Sequence, residues 1–233
     1  MTKLFQDRKF IDFHDRNSTK TYPDLEFQKC YFESCRISWT KDPRRRITIR
    51  NVQMVDCEQR GCALDAAIIE DVVVVGLKTD TLFRTLGAVY KHVTLKGKIG
   101  TLMISPYTAP FIANGMKDLR LQKPFDEANR LYYSSVDWAM DIREAQFVEA
   151  DLRGVPGQLV LRDPETQFLI TREKALEGKW KEIDLSGTYW QITIENFLKG
   201  EFESGILVAP KQNPRFRPLL AGLWALRDAG VVS

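Results

Sequence analysis

A five-residue period runs through the first third of the chain and limits what it can fold into. Leu25-x-Phe27, Cys30-x-Phe32 and Cys35-x-Ile37 recur at steps of five. The phase slips by two residues across Lys41–Arg46. It resumes as Ile47-x-Ile49, Val52-x-Met54, Cys57-x-Gln59, Cys62-x-Leu64, Ala67-x-Ile69 and Val72-x-Val74, then fades at Leu77-x-Thr79 and Leu82-x-Arg84. Five fits neither the helical repeat of 3.6 nor the strand repeat of 2. It describes a short bridge of two inward residues followed by a corner. Four such sides make one square coil, and coils stack as a parallel β-helix at the ordinary strand spacing of ~4.8 Å. The period returns in Met140-x-Ile142, Ala145-x-Phe147 and Ala150-x-Leu152.

The segment "AQFVEADLRG", residues 145–154, runs Ala, a variable residue, Phe or Leu, then two further residues, twice over. Here the chain resembles the pentapeptide-repeat family of right-handed quadrilateral β-helices. The resemblance implies that the small residue and the Leu or Phe two positions later both point inward. On that basis Phe27, Cys30, Phe32, Cys35, Ile37, Cys57, Cys62, Leu64, Ile69, Val74, Phe147 and Leu152 form a filled core. The resemblance covers residues 25–84 and 140–156. Across 85–139 it is degraded: Val93-x-Leu95, Leu102-x-Ile104 and Leu119-x-Leu121 look like inward pairs at drifting spacing, while "SPYTAP" and "NGMKD" read as loops. Gln59 departs from the pattern, in a slot that should be apolar. "LDAAIIEDVVVVG" is unusually hydrophobic, so one face there is expected to be covered, either by another part of the chain or by a partner.

Three segments follow: an N-terminal cap over 1–24, a pentapeptide-like β-helix over 25–156, and a C-terminal α+β appendage over 157–233 ending in a helix. The fold class is mainly β. In the appendage, "GQLVLRDPETQFLIT" reads as two strands around an Asp-Pro turn. "TREKALEGKW" reads as a short helix capped by Thr171 and "SGILVAPK" as a strand, while "SGTYWQITIENFLKG" fits either strand or helix, with helix favoured by its Gly stop. "NPRFRPLLAGLWALRDAG" reads as the strongest helix, with Asn213 as cap and Pro214 first in the helix, although Pro218 can delay the start. A solenoid has open ends. The C-terminal helix is expected to plug one, and the segment with Phe5, Phe10, Ile11 and Phe13 the other.

The cysteines invite a metal reading, because Cys-x4-Cys occurs twice. All four fall on the inward small slot, however, where a free thiol packs as a small hydrophobe. Counting sides through the slip stacks Cys35 on Cys57. No metal site and no cofactor are expected. The chain carries no nucleophile-elbow, phosphate-loop or zinc-protease motif and only two histidines, His14 and His92, so no catalytic residues are assigned. No apolar run approaches the ~20 residues of a membrane helix, and the expected location is the cytoplasm.

The expected function is that of a non-enzymatic protein-binding module, a bacterial protein of immunity or protection type that neutralises or regulates another protein. The resembled family includes DNA mimics, which need an acidic surface, whereas this chain has a formal net charge of +3. Candidate contact residues are Arg44, Arg45 and Arg46 in the basic loop, and Trp180, Trp190 and Trp224 in the aromatic C-terminal region. Self-association through the C-terminal helix is a further expectation. The alternatives are nucleic-acid or anion binding through Arg44–Arg46 and a carbohydrate-active β-helix enzyme. The second is disfavoured because such enzymes use larger three-sided coils.

Overall fold

The computed structural model describes residues 2–200 and 202–233, and its dominant element is a curled, parallel sheet of 14 strands. The first eleven strands are β1 (Lys3–Gln6), β2 (Lys9–Ile11), β3 (His14–Arg16), β4 (Thr21–Gln28), β5 (Tyr31–Glu33), β6 (Arg36–Trp39), β7 (Thr48–Arg60), β8 (Ala63–Asp65), β9 (Ile68–Thr79), β10 (Phe83–Leu86) and β11 (Val89–Ser105). The chain passes the same positions repeatedly. Val52 pairs with Val72 and Val72 with Val93, steps of 20 and 21 residues, or about four pentads per pass.

The corners explain the period. Asp7, Asp12, Asn17, Asp24, Lys29, Ser34, Asn51, Asp56, Gly61, Ala66, Asp71, Gly76, Gly87, His92 and Gly97 all have φ between 50° and 73°. These are left-handed positions, for which Gly, Asn and Asp are the best suited residues. At Gly76 a Cβ would also meet the Asp56 carboxylate at 2.8 Å.

This corrects the expectation of a plug over 1–24. β1, β2 and β3 pair in parallel with β4, β5 and β6, so the segment adds a pass to the sheet. Phe5 stacks on Phe27 and Phe10 on Phe32, with centroids 5.3 and 5.1 Å apart. The period is hard to see here because Lys3, Arg8 and Phe13 occupy the slot that holds small residues elsewhere.

The two-residue slip is also larger than it looks. Leu25 pairs with Val52, a step of 27, so the loop around the 3-10 turn Pro43–Arg45 adds seven residues to a 20-residue pass. A phase reports an insertion only modulo five. Tyr31 therefore pairs with Glu58 and Arg36 with Ala63, which places Cys30 against Cys57 and Cys35 against Cys62. The expected stacking of Cys35 on Cys57 is overturned.

The degraded stretch is a regular pass followed by an insertion. β10 and β11 continue the ladder, and Val93 next pairs with Met140. Between them lie α1 (Ala109–Ala113), a 3-10 turn at Leu119–Leu121, and α2 (Lys123–Tyr133). Leu119 is 54% exposed and forms no inward pair with Leu121. The insertion supplies the cover expected over the hydrophobic stretch: Tyr132 and Tyr133 pack on the core, and the Tyr132 hydroxyl donates to Glu70 at 3.0 Å.

The remaining elements are β12 (Met140–Asp141), β13 (Ala145–Asp151), β14 (Val160–Leu161), β15 (Gln167–Thr171), α3 (Arg172–Leu176), α4 (Trp190–Lys199), β16 (Ser204–Val208) and α5 (Phe216–Asp228). β14 pairs with β12, so the parallel sheet runs on to Leu161. β15 and β16 form an antiparallel ribbon. Alternation gives the ribbon two apolar faces: Leu169, Ile206 and Val208 join the core of the parallel sheet, while Phe168, Ile170 and Leu207 join a second core with the helices. The ribbon therefore covers the end of the parallel sheet, and the C-terminal helix does not plug it. At Gly157 a Cβ would lie 2.5 Å from the end of the Leu169 side chain and 3.0 Å from the Gly205 carbonyl oxygen, so glycine lets the ribbon pack closely at this junction. α5 starts at Phe216, later than the Asn213 cap implies, with Pro218 in its first turn. Its Leu219, Leu223 and Leu226 are wholly buried within the chain.

Candidate binding cavity

The interior of the parallel sheet is not filled. A cavity of about 490 Å³ runs inside it, lined by inward residues from the first pass, Phe5 and Phe10, to Met140. Lys3 and Phe13 are the exposed members of its lining, which places its mouth at the N-terminal end. β1, β2 and β3 have sheet partners on one side only, so nothing among the described residues continues the ladder past that mouth.

The cavity accounts for the burial of the expected core. Cys30, Cys35, Cys57, Cys62, Ile69, Val74, Phe147 and Leu152 are buried, whereas the inward Phe27, Phe32, Ile37 and Leu64 are half-buried because they border the void. The thiols bond to backbone carbonyls: Cys30 to Phe5 and Cys35 to Phe10 at 3.4 Å, and Cys57 to Phe27 at 3.6 Å. Burial raises the Cys57 thiol and pushes Cys62 up to about 11. A thiol held protonated is a poor nucleophile and a poor ligand. Among the described residues no three His, Cys, Asp or Glu side chains converge as a metal set.

The lining carries few polar groups. The Thr85 and Tyr90 hydroxyls bond to each other at 2.5 Å. Thr79 accepts from the Thr101 amide at 2.9 Å. Gln59 stands in the inward slot of β7, between Phe32 and Thr79 in the ladder, and is 3% exposed. The sequence gives its signal as one amide in an apolar register.

The structure does not bring the sequence-predicted contact residues together. Arg44 is exposed, but its guanidinium is held by the Asp42 carboxylate at 2.9–3.3 Å. Arg45 and Arg50 are exposed. Arg46 is buried under α2, where Nη2 donates to Asn129 at 2.6 Å and the guanidinium lies 5.1 Å from the Phe125 ring centroid. Burial pushes its pKa down to about 10. The three arginines thus present no common phosphate-binding surface. Trp180 and Trp190 are core residues, donating to the Ala175 and Leu219 carbonyls at 2.8 Å. Trp224 is 43% exposed, with its indole bonded to the Glu165 carbonyl.

No known family model matches the chain, and no curated protein is significantly similar to it. Fold and site together define a mainly parallel β scaffold around an apolar cavity. No helix among the described residues is long and apolar enough to cross a membrane.

Proposed function

We propose that this chain is a non-enzymatic binding protein whose parallel passes close into a right-handed quadrilateral β-helix of pentapeptide-repeat type, and that it takes its ligand into the bore. The steps of about 20 residues and the left-handed corners every five support the β-helix. The observation that carries the binding function is the apolar cavity of about 490 Å³ opening beside Lys3 and Phe13. Its size is that of a small-molecule site. An interior of this kind stays dry and gains by accepting apolar atoms. The neutral fluorophore N-phenyl-1-naphthylamine tests this. Saturable binding at one per chain, abolished by Leu64→Trp in the lining, is the expected result. A wild-type chain that leaves the dye dark overturns it.

A macromolecular partner, as neutralisation or regulation of another protein requires, has one surface in its favour. The first pass exposes Leu4 (52%), Ile11 (56%) and Phe13 (43%) around the mouth, beside strands paired on one side only. Ile11→Lys should then weaken capture of that protein without altering dye binding. Equal capture by wild type and variant excludes this surface.

A further inference from the structure

The amide of Gln59 points to the kind of ligand the bore takes, an inference that rests on the cavity being the binding site. Gln59 Oε1 accepts from the Cys62 amide at 3.1 Å. Only the oxygen can accept that bond, so the orientation of the side-chain amide is fixed. Nε2 then carries two N–H donors, and it has no partner among the described residues. A buried donor left unpaired is costly, and native interiors rarely keep one without reason.

The surroundings narrow what could satisfy it. Besides Gln59, the polar groups lining the cavity are threonine and tyrosine hydroxyls and the Cys35 and Cys62 thiols, and the exposed ammonium of Lys3 stands at the mouth. A carboxylate drawn in to Gln59 would lose its hydration with no cation beside it. A neutral oxygen carries no such penalty. Depth and width set the rest of the shape. Gln59 belongs to the third of six passes that line the bore, about 10 Å below the first at strand spacing. Spread over the ~24 Å that six passes span, about 490 Å³ leaves room for one extended hydrocarbon in single file.

We propose that Gln59 is the polar anchor of the cavity and that the ligand is a neutral, elongated apolar molecule with one acceptor oxygen, such as a long-chain ketone or alcohol. Its oxygen accepts from Gln59 Nε2, and its hydrocarbon lies along the bore.

The test uses the full chain and displacement of N-phenyl-1-naphthylamine by decan-2-one, n-decane and decanoate at neutral pH. Decan-2-one should bind about tenfold tighter than decane, the worth of one neutral hydrogen bond. It should also outcompete decanoate. Gln59→Leu should remove the preference for the ketone and leave decane binding at least as tight. Should that variant fail to fold, Gln59→Met makes the same comparison, and the wild-type ketone-to-alkane ratio is read without any variant. Equal binding of ketone and alkane to the wild type overturns the anchor and leaves the cavity standing as a site. So does a preference that survives Gln59→Leu. Tighter binding of decanoate overturns the neutral-oxygen class. If none of the probes displaces the dye, the cavity reading itself falls.

Discussion

In the C-terminal core, inward side chains are sealed from water: Trp190 is 2% exposed, and Leu219, Leu223 and Leu226 are 0%. In the first two passes of the parallel sheet, Phe5, Phe10, Phe27 and Phe32 also point inward, yet they are only half-buried. The difference lies in what each architecture can adjust. Helices shift until their side chains interlock, and Gly222 illustrates this: a Cβ there would stand 2.8 Å from the Trp190 ring, so glycine lets α5 close on it. A ladder of parallel passes has no such freedom. Backbone pairing fixes the width, and each residue sits above its counterpart at strand spacing. Phenyl rings stacked 5.1–5.3 Å apart along the walls satisfy one another and do not reach the centre. The hollow follows from regularity.

The sharpest way to break this contrast is to delete atoms in the sealed core. Leu223→Ala should cost about 2–5 kcal/mol, the sum of lost transfer energy and a new cavity. Thermal or urea unfolding measures it, and a loss below about 1 kcal/mol would mean that this core is no better packed than the bore. Leu223→Asp would report on folding and not on association, because Leu223 is wholly buried within its own chain.

The sequence makes the ladder legible where the inward slots carry small and large apolar residues in alternation. It hides the ladder where Lys3, Arg8 and Phe13 fill the small slot, although Asp7, Asp12 and Asn17 mark the same corners at the same spacing. Seven inserted residues look like two because the period is blind to whole pentads. The hollow interior is not legible at all. Residue type reports that a position faces inward, and it does not report whether inward chains meet. Of the site, Gln59 alone announces itself, as the polar exception in an apolar register. Arg46 misleads because one arginine on a basic loop looks like the next until α2 is laid over it.

A charged group inside the sheet should separate the two regions by pH. Asp65 is 1% exposed, with Arg36 Nε at 3.0 Å. Burial outweighs Arg36, Arg84 and Arg16 and raises its pKa from 3.8 to about 6. A raised acid favours the fold while protonated. Its contribution is complete below about pH 4 and is lost as pH rises through 6, a difference of up to about 3 kcal/mol. Asp65→Asn should flatten that part of the stability curve. Hydrogen exchange should show the effect in β8 more than in α5. Parallel curves for wild type and Asp65→Asn would mean that Arg36 compensates the charge fully.

A smaller effect comes from truncation inside the bore. Phe32→Ala should cost about 1–2 kcal/mol, roughly half the value of a fully buried phenylalanine, because the ring already borders a void and removing it enlarges one that exists. Phe197→Ala, from a residue 2% exposed in the C-terminal core, should cost about 3–5 kcal/mol. Equal losses in the two variants would remove the contrast between the cores. A larger loss at Phe32 would show that the aromatic ladder supports the first passes beyond its share of buried area.

The smallest effect concerns how the sheet holds its insertion. His92 occupies a left-handed corner, with Nε2 2.7 Å from Asp137 and Nδ1 3.1 Å from Asp71. Asp137 closes the insertion that α2 belongs to, so the imidazole clasps that segment to the corner. The bond to Asp137, and after it the one to Asp71, raises the pKa of His92 above 6.5. The stabilisation is therefore complete below about pH 6.5 and is lost as pH rises through the higher folded value. The group is largely solvated, so the effect on global unfolding should be slight. It should still be visible as a raised midpoint in an NMR titration of His92, lowered by Asp137→Asn. The chain has only two histidines, and both lie in the parallel sheet. A stability change that depends on Asp137 above pH 6.5 thus reports on the sheet alone and leaves the C-terminal core as an internal control. A His92 midpoint at or below 6.5 would show that the clasp does not form in solution, and α2 would then owe its place to Phe125 and Arg46.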